Sequence, residues 1–362
     1  MRKAVKQWIH NEARRNRAAA AALAEAKYLA MPLQKKNTNK LDAVLRQYVP
    51  AEKRADKAFI KRLKKELFYC DYAYGCSYYE YFVFDFAHRT EQERRQYVTE
   101  AEFLPICNRV AAKGHTERLF RDKYQAYRKF QSYYKRASIK VTGEADRTKF
   151  EKFAAAHPRF IVKALDKSRG RDNYVYDLAD ASETVEEIFS RMMGIGACIV
   201  EELIEQAEEM KRFHPSSVNT IRYVTLLRGD AVEPMFALIR MGCGEAHIDN
   251  VSAGGLFAVV DVETGVITTP GIRRVGSRLT EYPSHPDSGV PIQGETVPRW
   301  QEVRALAQKL AKIVPEQRYV GWDFALTEDG WVVVEGNHKP SLTSIQIALG
   351  HGVRPWLALF EG

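Results

Sequence analysis

The chain has 362 residues, 45% of them hydrophobic and 28% charged, an ordinary globular composition large enough for two or three lobes, with a formal net charge of +9. No apolar run approaches the ~18 residues that cross a bilayer, and charges interrupt the basic N-terminus where a signal peptide would need an apolar stretch. A membrane-embedded or secreted protein is therefore not expected, and the expected location is the cytoplasm, with peripheral membrane contact as the one addition. Five cysteines (Cys70, Cys76, Cys107, Cys198 and Cys243) are odd in number and show no CxxC spacing, so buried or unpaired thiols in a reducing compartment are expected.

The charge is uneven. Residues 1–65 hold 18 Lys and Arg against 5 Asp and Glu, so they net +13 and the remainder nets −4. Such a segment suits an anionic membrane surface or an acidic polymer. The plainer alternative, a solvated helical face, is preferred, and no specific nucleic acid is expected. Residues 1–30, rich in Ala, Glu, Lys and Arg and free of Gly and Pro, predict a helix. A polar break follows from Pro32 to Asn39, then further helices from about 41 to 115. The aromatic block FYCDYAYGCSYYEYFVF at 68–84 could stack bases or sugars, but a core face with hydroxyls at its edge is the preferred reading.

The character changes near residue 120. The helix RDKYQAYRKFQSYYKRA precedes short strand-like runs: FIVKAL (160–165), NYVYDL (173–178), and, after the helix ETVEEIFSRMM, ACIVEELI (197–204). Then come NTIRYVTLL (219–227), EPMFALIRMG (233–242), GGLFAVVDV (254–262), GVITTP (265–270), a Pro-rich loop at 281–298, a helix at about 299–313, and the hairpin VGWDFALTEDGWVVVEGNH (320–338). A helical region thus precedes an α+β region with mostly antiparallel strand signals.

The hairpin carries Asp323, Glu335 and Asn337 among apolar residues. A two-residue turn at Asp329-Gly330 would pair Asp323 with Gly336 and split the two acids between faces. A three-residue loop, Glu328-Asp329-Gly330, pairs Thr327 with Trp331 and Asp323 with Glu335, and Gly330 suits its left-handed last position. In that register Trp322, Phe324, Leu326, Val332 and Val334 form a core face, and Asp323, Glu335 and Asn337 share the other. Opposed carboxylates about 5 Å apart at Cβ repel unless a cation lies between them, and this donor set suits Mg²⁺. The plainer alternative is the polar outer face of an ordinary hairpin. Arg222 alternates with Val224 and Leu226, and Arg240 with Phe236 and Leu238, so each points into an apolar face and needs an anion. A structural ion pair would satisfy either alone; two beside a carboxylate hairpin favour a phosphate and metal site. Lys163 stands in FIVKAL before the loop DKSRGRD, which carries Ser168 and Gly170 and has no GxxxxGK[ST] pattern. Glu201 and Glu202 end the run ACIVEELI.

This order of features resembles the ATP-grasp superfamily: Asp122-Lys123, a strand lysine, a loop, an acidic hinge, inward basic strands, then Asp and Glu-x-Asn. The strings HPSSVNTIRYVTL, HIDNVSAGGLFAVVD, SHPDSGVPI, VPRW and VGWDFALTEDGWVVVEGN are similar to its sugar-transfer-associated family, as are EYFVFDFAHRTEQERRQYVTE and DKYQAYRKF upstream. The likeness covers roughly residues 80 to 350. It implies two α+β subdomains clasping ATP, a small one at about 158–206 and a large one at about 215–362, within a domain 116–362 that follows a basic helical region 1–115. By the same resemblance, Lys123 and Lys163 contact the α- and β-phosphates, and Ser168 and Gly170 belong to the phosphate loop, which departs from the family in having one glycine. Glu201, with Glu202 and the backbone of Leu203, holds the adenine. Arg240 reaches the triphosphate and Arg222 an acyl phosphate or substrate oxygen. Gly254 and Gly255, after Asn250, let backbone approach the substrate or γ-phosphate. Asp323, Glu335 and Asn337 hold Mg²⁺. No ribose-binding acid is identified between 205 and 218. The implied activity is a carboxylate–amine ligase working through an acyl phosphate on a small-molecule or sugar-linked acid and amine. The alternatives are a phosphotransferase to a hydroxyl and a non-catalytic binding module with a basic tether.

Overall fold

In the computed structural model, residues 12–31, 35–165, 173–180, 183–244, 254–275 and 278–361 are described. Ser168, Gly170 and Asn250 lie outside them. The chain divides into two compact units. One comprises the chain up to Arg109 together with 274–280 and the segment from Ser341; the other comprises Val110–Arg273 and Glu281–Pro340.

The first unit is helical. In the helix Arg17–Ala30, Asn16 accepts from the N–H groups of Ala18 and Ala19, while Ala20 and Ala24, one turn apart, are buried. A helix over Lys35–Tyr48 replaces most of the polar break expected at 32–39, because KKNTNK contains neither Gly nor Pro to stop it. The longest helix, Lys57–Tyr74, is capped by Asp56 and closed by Gly75 at φ +68°. The aromatic block is core, as expected: Phe68, Tyr74, Tyr81 and Phe84 are buried, and Tyr74 packs edge to face at 5.8 Å against Phe86, just beyond the block. All five cysteines are free and buried.

The strands form two antiparallel sheets. The smaller has the order β1-β4-β2-β3, with β1 Ser138–Val141, β2 Arg159–Ala164, β3 Asn173–Asp177 and β4 Cys198–Glu202. The larger has the order β11-β10-β5-β6-β7-β8-β9. Its strands are β5 Thr220–Arg228, β6 Ala231–Met241, β7 Leu256–Val260, β8 Gly271–Val275, β9 Arg278–Tyr282, β10 Tyr319–Thr327 and β11 Gly330–His338. GVITTP forms only isolated bridges, and the strand pairing resumes after Pro270. One face of the large sheet is covered by the helix Trp300–Ala311, whose Trp300, Val303, Ala307 and Leu310 repeat at helical spacing into the same core as Ile221, Tyr223, Ile239, Trp322 and Phe324.

The 320–338 hairpin differs from expectation in an instructive way. Gly330, at φ +100°, pairs with Thr327, so Glu328-Asp329 is a two-residue connection and Trp331 faces Leu326. A bulge then adds one residue on β11: Phe324 faces Val333, and the next pair is Asp323 with Glu335. The carboxylates are opposed as expected, but the bulge at Val334 does it, not a three-residue loop. The core face is consequently Trp322, Phe324, Leu326, Trp331 and Val333, with Val332 moved to the other side. Burying each of the large side chains contributes about 2 kcal/mol.

Candidate active site

The alternation of β5, β6, β10 and β11 builds one polar row on the face opposite the Trp300–Ala311 helix. Arg222, Asp323 and Glu335 are directly adjacent across three strands, because Asp323 pairs with Arg222 on one side and Glu335 on the other. Arg222 grips Asp323 with two parallel hydrogen bonds of 2.7 Å from Nε and a terminal nitrogen. Arg240 adds an ion pair at 2.8 Å and anchors its fork on the Thr220 hydroxyl at 3.1 and 2.9 Å. Thr220 and Arg240 face each other in the β5–β6 register. Burial alone would raise the Asp323 carboxyl, but the two guanidiniums outweigh it and hold it at about 2. Glu335 moves the other way: desolvation, then repulsion from Asp323, raises it above its ordinary value. Its side chain nevertheless keeps 44% exposure, so this is the open end of the row.

Asn337 completes the row. Its amide nitrogen donates to Asp323 and to Glu335, at 3.1 Å each. A donor bridging two carboxylates stands where a cation belongs, and turned about its last bond the same amide presents its oxygen there. Among the described residues no group of three or more His, Cys, Asp or Glu side chains is placed to hold a metal. Asp323, Glu335 and the Asn337 amide, were its oxygen turned inward, are the groups here that could hold a hard cation such as Mg²⁺.

The small sheet supplies a second group. Lys163 donates to Glu201 at 2.7 Å, and Arg136 pairs with the same carboxylate at 3.0 Å. Burial works against the charged form of Glu201, but Arg136 and Lys163 prevail and bring it to about 2. Arg136 also donates to the carbonyls of Val333 and Val334, at 2.6 and 3.2 Å, and so ties the small sheet to the bulge that positions Glu335. Lys123 donates to the Ala164 carbonyl at 3.0 Å. Lys140, opposite Ile199 as Lys163 is, stands on the same face. Glu202 instead accepts from the Ala137 N–H at 3.0 Å, and the Leu203 N–H donates to Arg159. Gly254 is at φ +99°, its carbonyl accepting from Arg273 at 2.7 Å, and buried Gly255 follows it into β7.

Thus Asp323, Glu335, Asn337, Arg222 and Arg240 converge, and Lys163 and Glu201 form a pair. Sequence reading missed Arg136, Lys140 and Thr220. Lys140 had a weak signal, its alternation in SIKV; Arg136 sits at a helix–strand junction where no period exists.

A model of the sugar-transfer associated ATP-grasp family matches residues 119–361. The chain belongs to this family. The α+β architecture with its helical N-terminal region is accordingly an ATP-grasp fold. Of the two upstream strings, EYFVFDFAHRTEQERRQYVTE at 80–100 falls outside this match and DKYQAYRKF at 122–130 falls inside it. No curated protein sequence matches the chain. Among solved structures, D-alanyl-alanine synthetase A from Vibrio cholerae O1 biovar eltor is similar at 11% identity and TM-score 0.44, covering 69% of this chain and 66% of that one. The D-alanine-D-alanine ligase from Coxiella burnetii gives 12% and 0.41, covering 69% and 59%, and D-cycloserine synthetase 16% and 0.41, covering 72% and 78%. The chain spans under two thirds of the length of the first two. No described helix of this ATP-grasp protein is long and apolar enough to cross a membrane.

Proposed function

We propose that the protein is an ATP- and Mg²⁺-dependent carboxylate–amine ligase acting on a small-molecule or sugar-linked acid and amine, in the making of a polysaccharide-linked product. The observation that carries this reading is the row Glu335, Asp323, Arg222 across three strands, with Arg240 on Asp323. Opposed carboxylates backed by two guanidiniums are suited to a reaction that gathers negative charge.

In this reading a substrate carboxylate oxygen attacks the γ-phosphorus of ATP, the bond to the β-phosphate oxygen breaks, and ADP leaves with its electron pair. The amine then attacks the acyl carbon, phosphate departs, and the ammonium proton is lost to solvent. Arg240 faces the triphosphate and Arg222 the acyl phosphate oxygens. Lys123 and Lys163 draw in the α- and β-phosphates, with Lys163 exchanging part of its Glu201 pairing for phosphate. Asp323, Glu335 and Asn337 hold the Mg²⁺, which supplies charge neutralisation when bound. Ser168, Gly170, Asn250, Gly254 and Gly255 remain assigned to the phosphate loop and substrate approach, and Glu201, Glu202 and Leu203 to the adenine. With the Leu203 N–H already engaged, the free backbone group there is its carbonyl. The assigned domain is 116–362, with subdomains at about 158–206 and 215–362, after a helical region 1–115.

The test is ADP release with a panel of acids and amines. Asp323→Asn and Glu335→Gln should each lower it by about 10²-fold or more with the fold intact. Unchanged turnover in both would end the metal assignment; a phosphorylated product without amide would make the protein a phosphotransferase.

A second, independent element of the proposal is a peripheral anionic partner. Lys53, Arg54, Lys57, Lys61 and Arg62 are exposed on two successive helices. Among the described residues none of the five is in an ion pair, and Leu29, 68% exposed, follows Tyr28, whose ring lies 5.3 Å from the Lys65 ammonium. Exposed cations on successive helices, in a unit that also exposes Leu29, suit an anionic lipid surface.

A further inference from the structure

At the end of β6 lies a buried polar cluster that the proposed chemistry leaves unused. Gln206, His214, Ser217, Asn219 and His285 are each at most 6% exposed. They come largely from the strings HPSSVNT and SHPDS, two residue groups far apart in sequence. His285 donates through Nε2 to the Gly242 carbonyl at 2.9 Å, and His214 through Nε2 to the Gly244 carbonyl at 2.9 Å. A carbonyl only accepts, so both rings carry a proton on Nε2. The Nδ1 of His285 then accepts from the Asp287 N–H at 3.3 Å, and that of His214 lies 2.9 Å from the Ser217 hydroxyl. Because a backbone N–H can only donate, the His285 ring is neutral in this arrangement.

The cluster reaches the site through the strand ends that carry Arg240 and Thr220. The Gly242 N–H donates to Asn219 Oδ1 at 3.4 Å, and Asn219 Nδ2 donates to the carbonyls of Met210 and His214, at 2.9 Å each. Its own N–H donates to Gln206 at 2.6 Å. Gly242 lies two residues beyond Arg240, and Asn219 immediately precedes Thr220, the residue that faces Arg240 and accepts from its guanidinium. Gly242 admits no side chain, since a Cβ there would collide with Ser217 and His214. An apolar seam would hold β5 to β6 but leave small slippage of the strand ends inexpensive. A satisfied buried network fixes one arrangement.

We infer that His285, His214 and Asn219 are positioning residues for Arg240, and that nucleotide affinity requires His285 to be neutral with its proton on Nε2. The inference rests on the nucleotide site proposed above. Groups facing His285 from the surrounding elements are Asp287, His214 and Arg273. Burial lowers its protonation tendency below the ordinary 6.5; Asp287 opposes this, and His214 and Arg273 reinforce it. Protonation would place an Nδ1–H against the Asp287 N–H and break the cluster. The neutral ring's contribution is complete above about pH 6.5 and declines as pH falls through the lowered value.

The experiment titrates the full-length chain with a non-hydrolysable ATP analogue and MgCl₂ by calorimetry, from about pH 7.5 to about pH 5.5. Histidine ring ¹⁵N shifts are recorded in parallel. His285→Leu should weaken binding by about tenfold, while His285→Gln, which keeps an N–H donor, should stay within about threefold of the parent. The parent should lose affinity on acidification more steeply than the Gln variant. Parallel acid profiles, or a cooperatively melting Leu variant that binds like the parent, would overturn the inference. Should the Leu variant not fold, the Gln comparison decides alone. If the parent binds no analogue at any pH, the nucleotide reading fails; the ring shifts then judge the tautomer by themselves, and a His285 protonated near pH 6.5 or bearing its proton on Nδ1 overturns it.

Discussion

Asp323 and Glu335 face each other yet titrate in opposite directions, and the difference lies in who stands beside them. Asp323 has two guanidiniums in contact; Glu335 has Asp323, the neutral Asn337 amide and a more distant Arg222, at 4.0 Å. A carboxylate held near 2, as Asp323 and Glu201 are, stabilises the fold fully above its ordinary range of 3.8 to 4.5, and that stability is lost as pH falls towards 2. The raised Glu335 has the reverse sign: its contribution is present below 4.5 and disappears as pH rises through its raised value. Ionised Glu335 thus works against the metal-free fold at neutral pH. Glu335→Gln should raise the melting temperature without Mg²⁺ by about 2 °C, a gain limited by the exposure of the side chain. Added MgCl₂ should stabilise the parent but not the variant, and a larger response in the variant would contradict the site. Arg136→Met should cost about 3 kcal/mol in urea unfolding, because Glu201 and two carbonyls lose donors in a dry place. Arg222 and Arg240 were legible because strand alternation marks an inward arginine. Arg136 was not, since its partners come from two distant segments.

At the scale of the hairpin, Gly330 and the Val334 bulge divide the work. Gly330 holds a positive φ that lets the connection close in two residues, and the bulge restores the offset that opposes the carboxylates. Gly330→Ala should cost about 1 kcal/mol of stability while leaving Mg²⁺-dependent binding intact, since the register at Asp323 is set beyond the bulge. A loss of binding equal to that of Asp323→Asn would show that the turn sets the register after all. The opposed acids were legible from charge pairing, whereas the turn length was not: a longer loop and a bulge shift the pairing by the same one residue, so no local pattern separates them. Nor did the short runs announce β1, β8 and β9, whose partners rather than their composition make them strands.

For the whole molecule, the large divisions were legible, a basic helical region and an α+β region of antiparallel strands, because composition and periodicity change together near residue 120. What each helix packs against was not, because amphipathic spacing gives a face without a partner. The charge asymmetry leads to a test on the intact chain. Reversing Lys53, Lys57 and Lys61 to Glu should abolish sedimentation with vesicles containing about 30% phosphatidylserine, and about 0.5 M salt should do the same to the parent. ADP release in solution should not change. Equal binding to neutral vesicles, or none by the parent, would leave the exposed cations as a solvated face.

One guanidinium, that of Arg136, joins Glu201 of β4 to the carbonyls of β11. The two sheets therefore cannot part without breaking either the Glu201 contact or both β11 contacts of a single side chain. A displacement of Glu201 is therefore felt at the strand that carries Glu335 through one shared guanidinium.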